Sequence, residues 1–316
     1  MIKLKGENIQ MPVPCVLAIG KFESIHTGHR ALIREMQRLA KGSGLASALV
    51  VFEPHPYQVL SDPEYKLLFT SKEREFLVAE LGVDYLLEYP FDTDFAALSP
   101  FQFCVKIYED MQAQYIIVGE GYRFGYKRAG TADTLRQTAA RYNAHVYEAA
   151  HVGGTDKTSS STIRTLLSEN NLSQAESLLG CPFFIMGKTT PGRRLGRTIG
   201  FPTINLYPPD EKFLPIDGVY TTRTILDGHV YKSITNIGLR PTVGADAPRS
   251  VETYLLDYIR NDGDELYEKN IKVEFLHFIR PEKRFDDIEA LKEQIQKDCE
   301  SAMMYFKLTR AHNSAN

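Results

Sequence analysis

The hydrophobic pattern of this 316-residue chain changes character at Gly180-Cys181-Pro182. Before that point, short apolar runs alternate with helical spacings. Residues 15–19, 48–52, 85–87, 115–118 and 144–149 read as strands. Between the first two, Leu32, Ile33, Met36, Leu39 and Ala40 mark one face of a helix. Capping signals at Thr70-Ser71-Lys72-Glu73 and Ser99-Pro100-Phe101-Gln102 open two more helices. Strand, helix, strand, repeated, predicts an α/β doubly wound parallel sheet with helices on both faces. Two shorter helical patterns follow at 163–167 and 175–179, the second opened by a capping box from Ser173 to Glu176.

After the break the runs are β-rich: 183–186, 219–226, 230–237, 251–256 and 271–278. Asp227-Gly228 between two of them is a hairpin signal. Ile288, Leu291, Ile295, Ala302, Met303 and Phe306 fall on one helical face. This half predicts a small antiparallel β-barrel with a C-terminal helix. A chain of this length exceeds one core, so the expected domains are residues 1–180 and 181–316.

The net charge of −3 argues against nucleic acid as a partner, which calls for a basic excess. No apolar run is long enough to span a membrane, and the N-terminus lacks the hydrophobic core of a signal peptide. Cys15, Cys104, Cys181 and Cys299 are isolated, which predicts reduced thiols in a cytoplasmic protein and no zinc site.

Two segments carry chemistry. The run from Gly187 to Leu206 combines four glycines with Lys188, Arg193, Arg194 and Arg197. Glycines let backbone amides approach a phosphate, and the cations add attraction. Thr203 and Asn205 offer neutral oxygens suited to Mg²⁺. The run ends in no Gly-Lys-Ser/Thr, so it is not a Walker loop. The other segment, Gly20 to His29, follows the first strand and opens the first helix. Ligands in such sheets sit at the carboxyl ends of strands, and a helix N-terminus favours phosphate. His26 and His29 there can donate to a phosphate as its charge develops; buried structural or metal-bound histidines are the other readings.

The first half resembles the HIGH-type nucleotidyltransferases through His26-Thr27-Gly28-His29. Residues 52–56, 118–125 and 159–164 narrow this to a resemblance to the FMN adenylyltransferase module of bacterial bifunctional FAD synthetases. The resemblance implies ATP contacts at Gly20, Phe22, Gly28, Ser159, Ser160, Ser161 and Arg164. It implies flavin contacts at Gly119, Arg123, Phe124 and His55, although His55 between two prolines also reads as a structural turn. Three positions depart from the family: Glu23 and Ser24 where Asp and Gly are usual, and Gly121 where Asp or Asn is common.

The second half resembles the riboflavin kinase module, through Pro202-Thr203-Ile204-Asn205, residues 215–220, residues 236–242 and residues 250–257. That resemblance implies that Gly187, Lys188, Gly192, Arg193 and Gly196 bind ATP. It implies that Thr203 and Asn205 hold Mg²⁺, Arg240 touches the flavin and Glu252 is the base. Pro191 stands where many relatives have histidine. The expected function is phosphorylation of riboflavin to FMN, then adenylylation of FMN to FAD, by a monomer or weak oligomer. A kinase with a degenerate N-terminal scaffold is one alternative; a non-catalytic flavin-binding regulator is another.

Overall fold

The computed structural model describes residues 1–149, 158–191, 199–239, 249–258 and 266–313. The chain forms two compact units, Met1–Ser160 and Ser161–Asn316.

The first unit is built on six parallel strands: β1 (Ile2–Lys5), β2 (Cys15–Ile19), β3 (Ala46–Glu53), β4 (Tyr85–Pro90), β5 (Ala113–Gly119) and β6 (His145–Ala149). Their order is β1-β4-β3-β2-β5-β6. All five residues of β2 are buried, which fits a central strand covered on both faces. The chain winds outward from β2 through β3 to β4, then returns to place β5 on the other side. The order therefore reverses between β2 and β5, and the crevice at their carboxyl ends is the natural ligand position. Helix α1 (Thr27–Ser43) leaves β2 and buries Leu32, Ile33, Met36 and Ala40. Helices α3 (Ser71–Glu80), α4 (Thr93–Ala96), α5 (Pro100–Val105) and α6 (Ala132–Ala139) follow; the anticipated capping box forms on Thr70, and the helix expected to start at Ser99 opens with a box as well. β1 and the short helix α2 (Pro56–Leu60) were not anticipated; four residues hold too few alternations to signal a strand.

The second unit begins with helices α7 (Ser160–Ser168) and α8 (Leu172–Leu179). The cap of α8 is Asn171, whose side chain accepts from the Gln174 N–H, and not the expected Ser173 box. Asparagine is as good a cap as serine, and it stands at the position where the backbone turns. Six antiparallel strands follow: β7 (Phe183–Lys188), β8 (Thr203–Leu206), β9 (Gly218–Leu226), β10 (His229–Leu239), β11 (Arg249–Leu255) and β12 (Asn270–Pro281). Their order is β7-β12-β9-β10-β11-β8. The two edges meet where the Thr190 N–H donates to the Asn205 carbonyl at 2.9 Å, curling the sheet towards a barrel. Asp227 (φ 47) and Gly228 (φ 80) make the β9–β10 turn with two positive φ angles, as the dipeptide predicts.

The C-terminal helix, Ile288–Asn313, packs on β9, β10 and β12. Its buried face departs from the expected stripe. Ile288 is 53% exposed, while Asp298 is buried and accepts a forked pair of bonds from Arg280 on β12. A charge inside an apolar helix face is invisible to hydrophobic periodicity, because its partner lies on another strand.

Candidate functional site

The loop from Gly20 to Ile25 is strained and heavily tied down. Phe22 and Ile25 have φ of 42° and 45°, a left-handed conformation unusual for bulky residues. Gly20 lets the Phe22 ring fold back, since a Cβ there would lie 3.0 Å from it. Glu23 is buried and accepts from the Leu68 N–H (3.0 Å) and the Tyr65 hydroxyl (3.1 Å). The Ser24 and Ser160 hydroxyls are 3.0 Å apart, and Arg30 Nε donates to the Ile25 carbonyl at 3.1 Å.

The first two departures from the family thus have physical places. Glu23 is an anchor for the 65–68 segment. Ser24 has no positive φ, so it needs no glycine, and its hydroxyl meets that of Ser160 in the same unit. Gly121 has φ 69° and its N–H donates to Glu148 at 3.1 Å. Glycine, asparagine and aspartate are the residues that adopt that conformation most readily, so Gly121 matches the family residues at the backbone.

The loop delivers His26 to the N-terminus of α1 as its cap. His26 Nδ1 accepts from the His29 N–H at 3.3 Å, so the neutral ring carries its proton on Nε2. The two imidazoles stack, with centroids 3.8 Å apart, and Phe22 packs on His29 at 4.9 Å. His29 Nδ1 is buried without a hydrogen-bond partner. Burial pushes the His26 pKa down to about 4, against a weaker pull from Glu23. Burial, then the neighbouring His26, puts His29 well below the usual 6.5. Two neutral imidazoles at a helix N-terminus can donate N–H to a polyphosphate, whose charge would draw both pKa values up again. Lys21 and Arg128 add two cations. The Lys21 pKa is lowered by burial and then by the Arg128 charge.

Other anticipated positions scatter. Gly28 lies in the first turn of α1, and Gly119 closes β5. Arg123 is exposed, but the Phe124 ring is buried against Phe103 (4.8 Å) and covers Gly130. His55 is buried, caps α2 by accepting from the Tyr57 N–H, and stacks on Tyr65. Ser159 precedes α7; Ser161 and Arg164 lie on α7 in the second unit.

In the second unit the register assembles the site. β8 and β11 place Asn205 opposite Glu252, and β11 and β10 place Glu252 opposite Asn236. Directly opposed residues point to the same face, so Asn205, Glu252 and Asn236 form one row. Thr203 lies two residues from Asn205 on that face, opposite Tyr254. Asn205 is buried and Glu252 exposed. The donors on this face are a hydroxyl, a carboxamide oxygen and a carboxylate, a hard set that fits Mg²⁺. Thr190 pins the glycine-rich segment to Asn205, while Gly187 faces Leu206, 3.3 Å from where its Cβ would stand. Lys188 ends β7 near Glu268 at 3.7 Å. Asn236 carries no local signal of a role; only register sets it beside Glu252. Arg249 was missed too; it clamps Asp217 at 2.7 Å together with the carbonyls of Leu214 and Pro215. Gly192, Arg193, Gly196 and Arg240 lie outside the described residues.

Comparison with known proteins agrees with both halves. A family model for FAD synthetase matches residues 8–163, and one for riboflavin kinase matches residues 179–306. The bifunctional riboflavin kinase/FMN adenylyltransferase of Escherichia coli K12 is 36% identical, over 94% of each chain. That of Bacillus subtilis is 35% identical over 93% of each, and that of Listeria monocytogenes 32% over 92% of each. A solved Streptococcus pneumoniae structure, described as a macrolide-efflux protein, superposes with a TM-score of 0.84 at 28% identity, covering 96% of this chain and 99% of that one. Among the described residues here, no helix is long and apolar enough to cross a membrane. Matched by both family models and by these relatives along nearly its whole length, the chain belongs to the bifunctional riboflavin kinase/FMN adenylyltransferase family.

Proposed function

We propose that residues 181–316 phosphorylate riboflavin to FMN and that residues 1–180 adenylylate FMN to FAD, each with ATP. The observation that carries the kinase half is the register that sets Asn205 opposite Glu252. Glu252 takes the proton of the ribityl 5′-hydroxyl as its oxygen attacks the γ-phosphorus, and ADP leaves. Thr203 and Asn205 would hold Mg²⁺, which supplies charge neutralisation at the phosphates. Positioning carries most of such a reaction, so the tie from Thr190 to Asn205 bears on the rate.

In the N-terminal unit, an FMN phosphate oxygen attacks the α-phosphorus of a second ATP, and pyrophosphate leaves. His26 and His29 donate to the phosphates as charge builds, from a helix N-terminus that already favours anions. Lys21 and Arg128 add positive potential. A kinase with an inert N-terminal scaffold would rest on Glu23, Ser24 and Gly121, and each of these has a place the local backbone accommodates.

The partners are small phosphates and flavins, in keeping with a net charge of −3, and the protein acts as a monomer or weak oligomer. Four free cysteines fit the reducing cytoplasm. The test is a time course with riboflavin, ATP and Mg²⁺, separating the flavins. FMN appearing first and FAD after it supports both steps. FMN accumulating without FAD refutes the adenylyltransferase half.

A further inference from the structure

Beyond the residues that the family resemblance supplies, a second carboxylate lies on the Glu252 face. Asn236 Nδ2 donates to Glu282 Oε1 at 3.2 Å. Glu282 immediately follows β12, 46 residues from Asn236 in sequence. It reaches Asn236 across Gly238, which lies two residues along β10 and so on the same face. A methyl group on Gly238 would overlap the Glu282 carboxylate. Gly238 has no positive φ, so its backbone would accept alanine; what glycine provides here is room for the Glu282 carboxylate.

A carboxylate only accepts hydrogen bonds, whereas a carboxamide has a donor end and an acceptor end. The contact with Glu282 therefore decides which end of Asn236 faces it. The nitrogen turns to Glu282, so Oδ1 is directed away from it, in the row that also holds Glu252. We propose that Glu282 is a positioning residue of the kinase half: it enters over Gly238, orients the Asn236 carboxamide, and so sets the polar surface against which Glu252 meets the ribityl hydroxyl. This inference rests on reading the Glu252 face as the riboflavin kinase site.

The test uses the full-length chain with Glu282→Gln, Gly238→Ala and the double variant. Glutamine keeps the size of Glu282 but can donate as well as accept, so it no longer fixes the amide. Alanine at 238 displaces Glu282 while leaving its side chain chemically unchanged. Each single variant is expected to lower kcat for FMN formation by about tenfold, with KM for ATP and the thermal midpoint unchanged. Because both act through one contact, the double variant falls no further than the singles. Conversion of added FMN to FAD stays at the parental rate in all three. The proposal is overturned if Glu282→Gln keeps the parental kcat, if the two losses multiply, or if loss of rate tracks loss of thermal midpoint. Glu252→Gln separates the two levels. If it leaves FMN formation intact, the kinase reading itself fails. If it abolishes FMN formation while Glu282→Gln does nothing, only the role of Glu282 fails.

Discussion

Asn205 and Glu252 stand directly opposite each other on β8 and β11, 47 residues apart in sequence and on the same face of the sheet. Strand register does what no local sequence signal can: it sets a buried carboxamide beside an exposed carboxylate.

Glu252→Gln and Asn205→Ala should each lower riboflavin phosphorylation by about 10²–10⁴-fold, the range for losing a general base or a placed polar group. Conversion of added FMN to FAD should persist, since His26 and His29 lie in the other unit. Separate assays of the two half-reactions check this; parental kinase rates in Glu252→Gln would refute the assignment.

Glu23→Ala removes a buried carboxylate from the Leu68 N–H and the Tyr65 hydroxyl. Losing a buried hydrogen-bonding partner costs about 1–3 kcal/mol, more when the group is charged. Chemical denaturation should show that loss in the first unit, together with weaker adenylylation and unchanged phosphorylation. Glu23→Asp should fall short of the same partners by one methylene, although aspartate is the usual family residue there. A fully stable Glu23→Ala variant would show that the anchor is dispensable.

Acid should weaken the first unit through its histidines. The folded His26 pKa of about 4 lies below the usual 6.5, and His29 is shifted the same way. The unfolded chain therefore binds protons first as pH falls, so this contribution is intact above about pH 6.5 and is lost on the way down to about pH 4. His26→Asn keeps a capping side chain and removes one titrating ring. Urea midpoints at about pH 7 and about pH 5 should drop less in His26→Asn than in the parent. Equal drops would remove His26 as the cause.

Asp298→Ala leaves Arg280 without its forked partner at the root of the C-terminal helix. Breaking a buried pair from one side costs about 3–5 kcal/mol. Arg280 is partly accessible, so the lower end of that range is expected. A thermal melt should show it, and kinase activity should fall with the docking of the helix while adenylylation remains.

Much of the fold was legible in the chain itself. The change from alternating strand and helix to β-rich runs is a local pattern, and so are the capping box at Thr70, the helix start at Ser99 and the hairpin at Asp227-Gly228. Each reports on neighbours a few residues apart, where periodicity and backbone preference suffice. The chemical residue types were legible for the same reason: His26 and His29 span one turn of α1, and Thr203 and Asn205 alternate on β8.

Long-range pairing belonged to the tertiary structure. Glu23 meets Leu68, Glu252 meets Asn205 and Asn236, Arg280 enters the face of the last helix, and Glu282 crosses Gly238. Those partners are separated by 16 to 47 residues, and no period of 2 or 3.6 encodes them. The sequence by itself determined the elements and the kinds of chemistry each half carries. Sheet register and packing alone decided which side chains meet, because opposition across strands depends on how the whole sheet is paired.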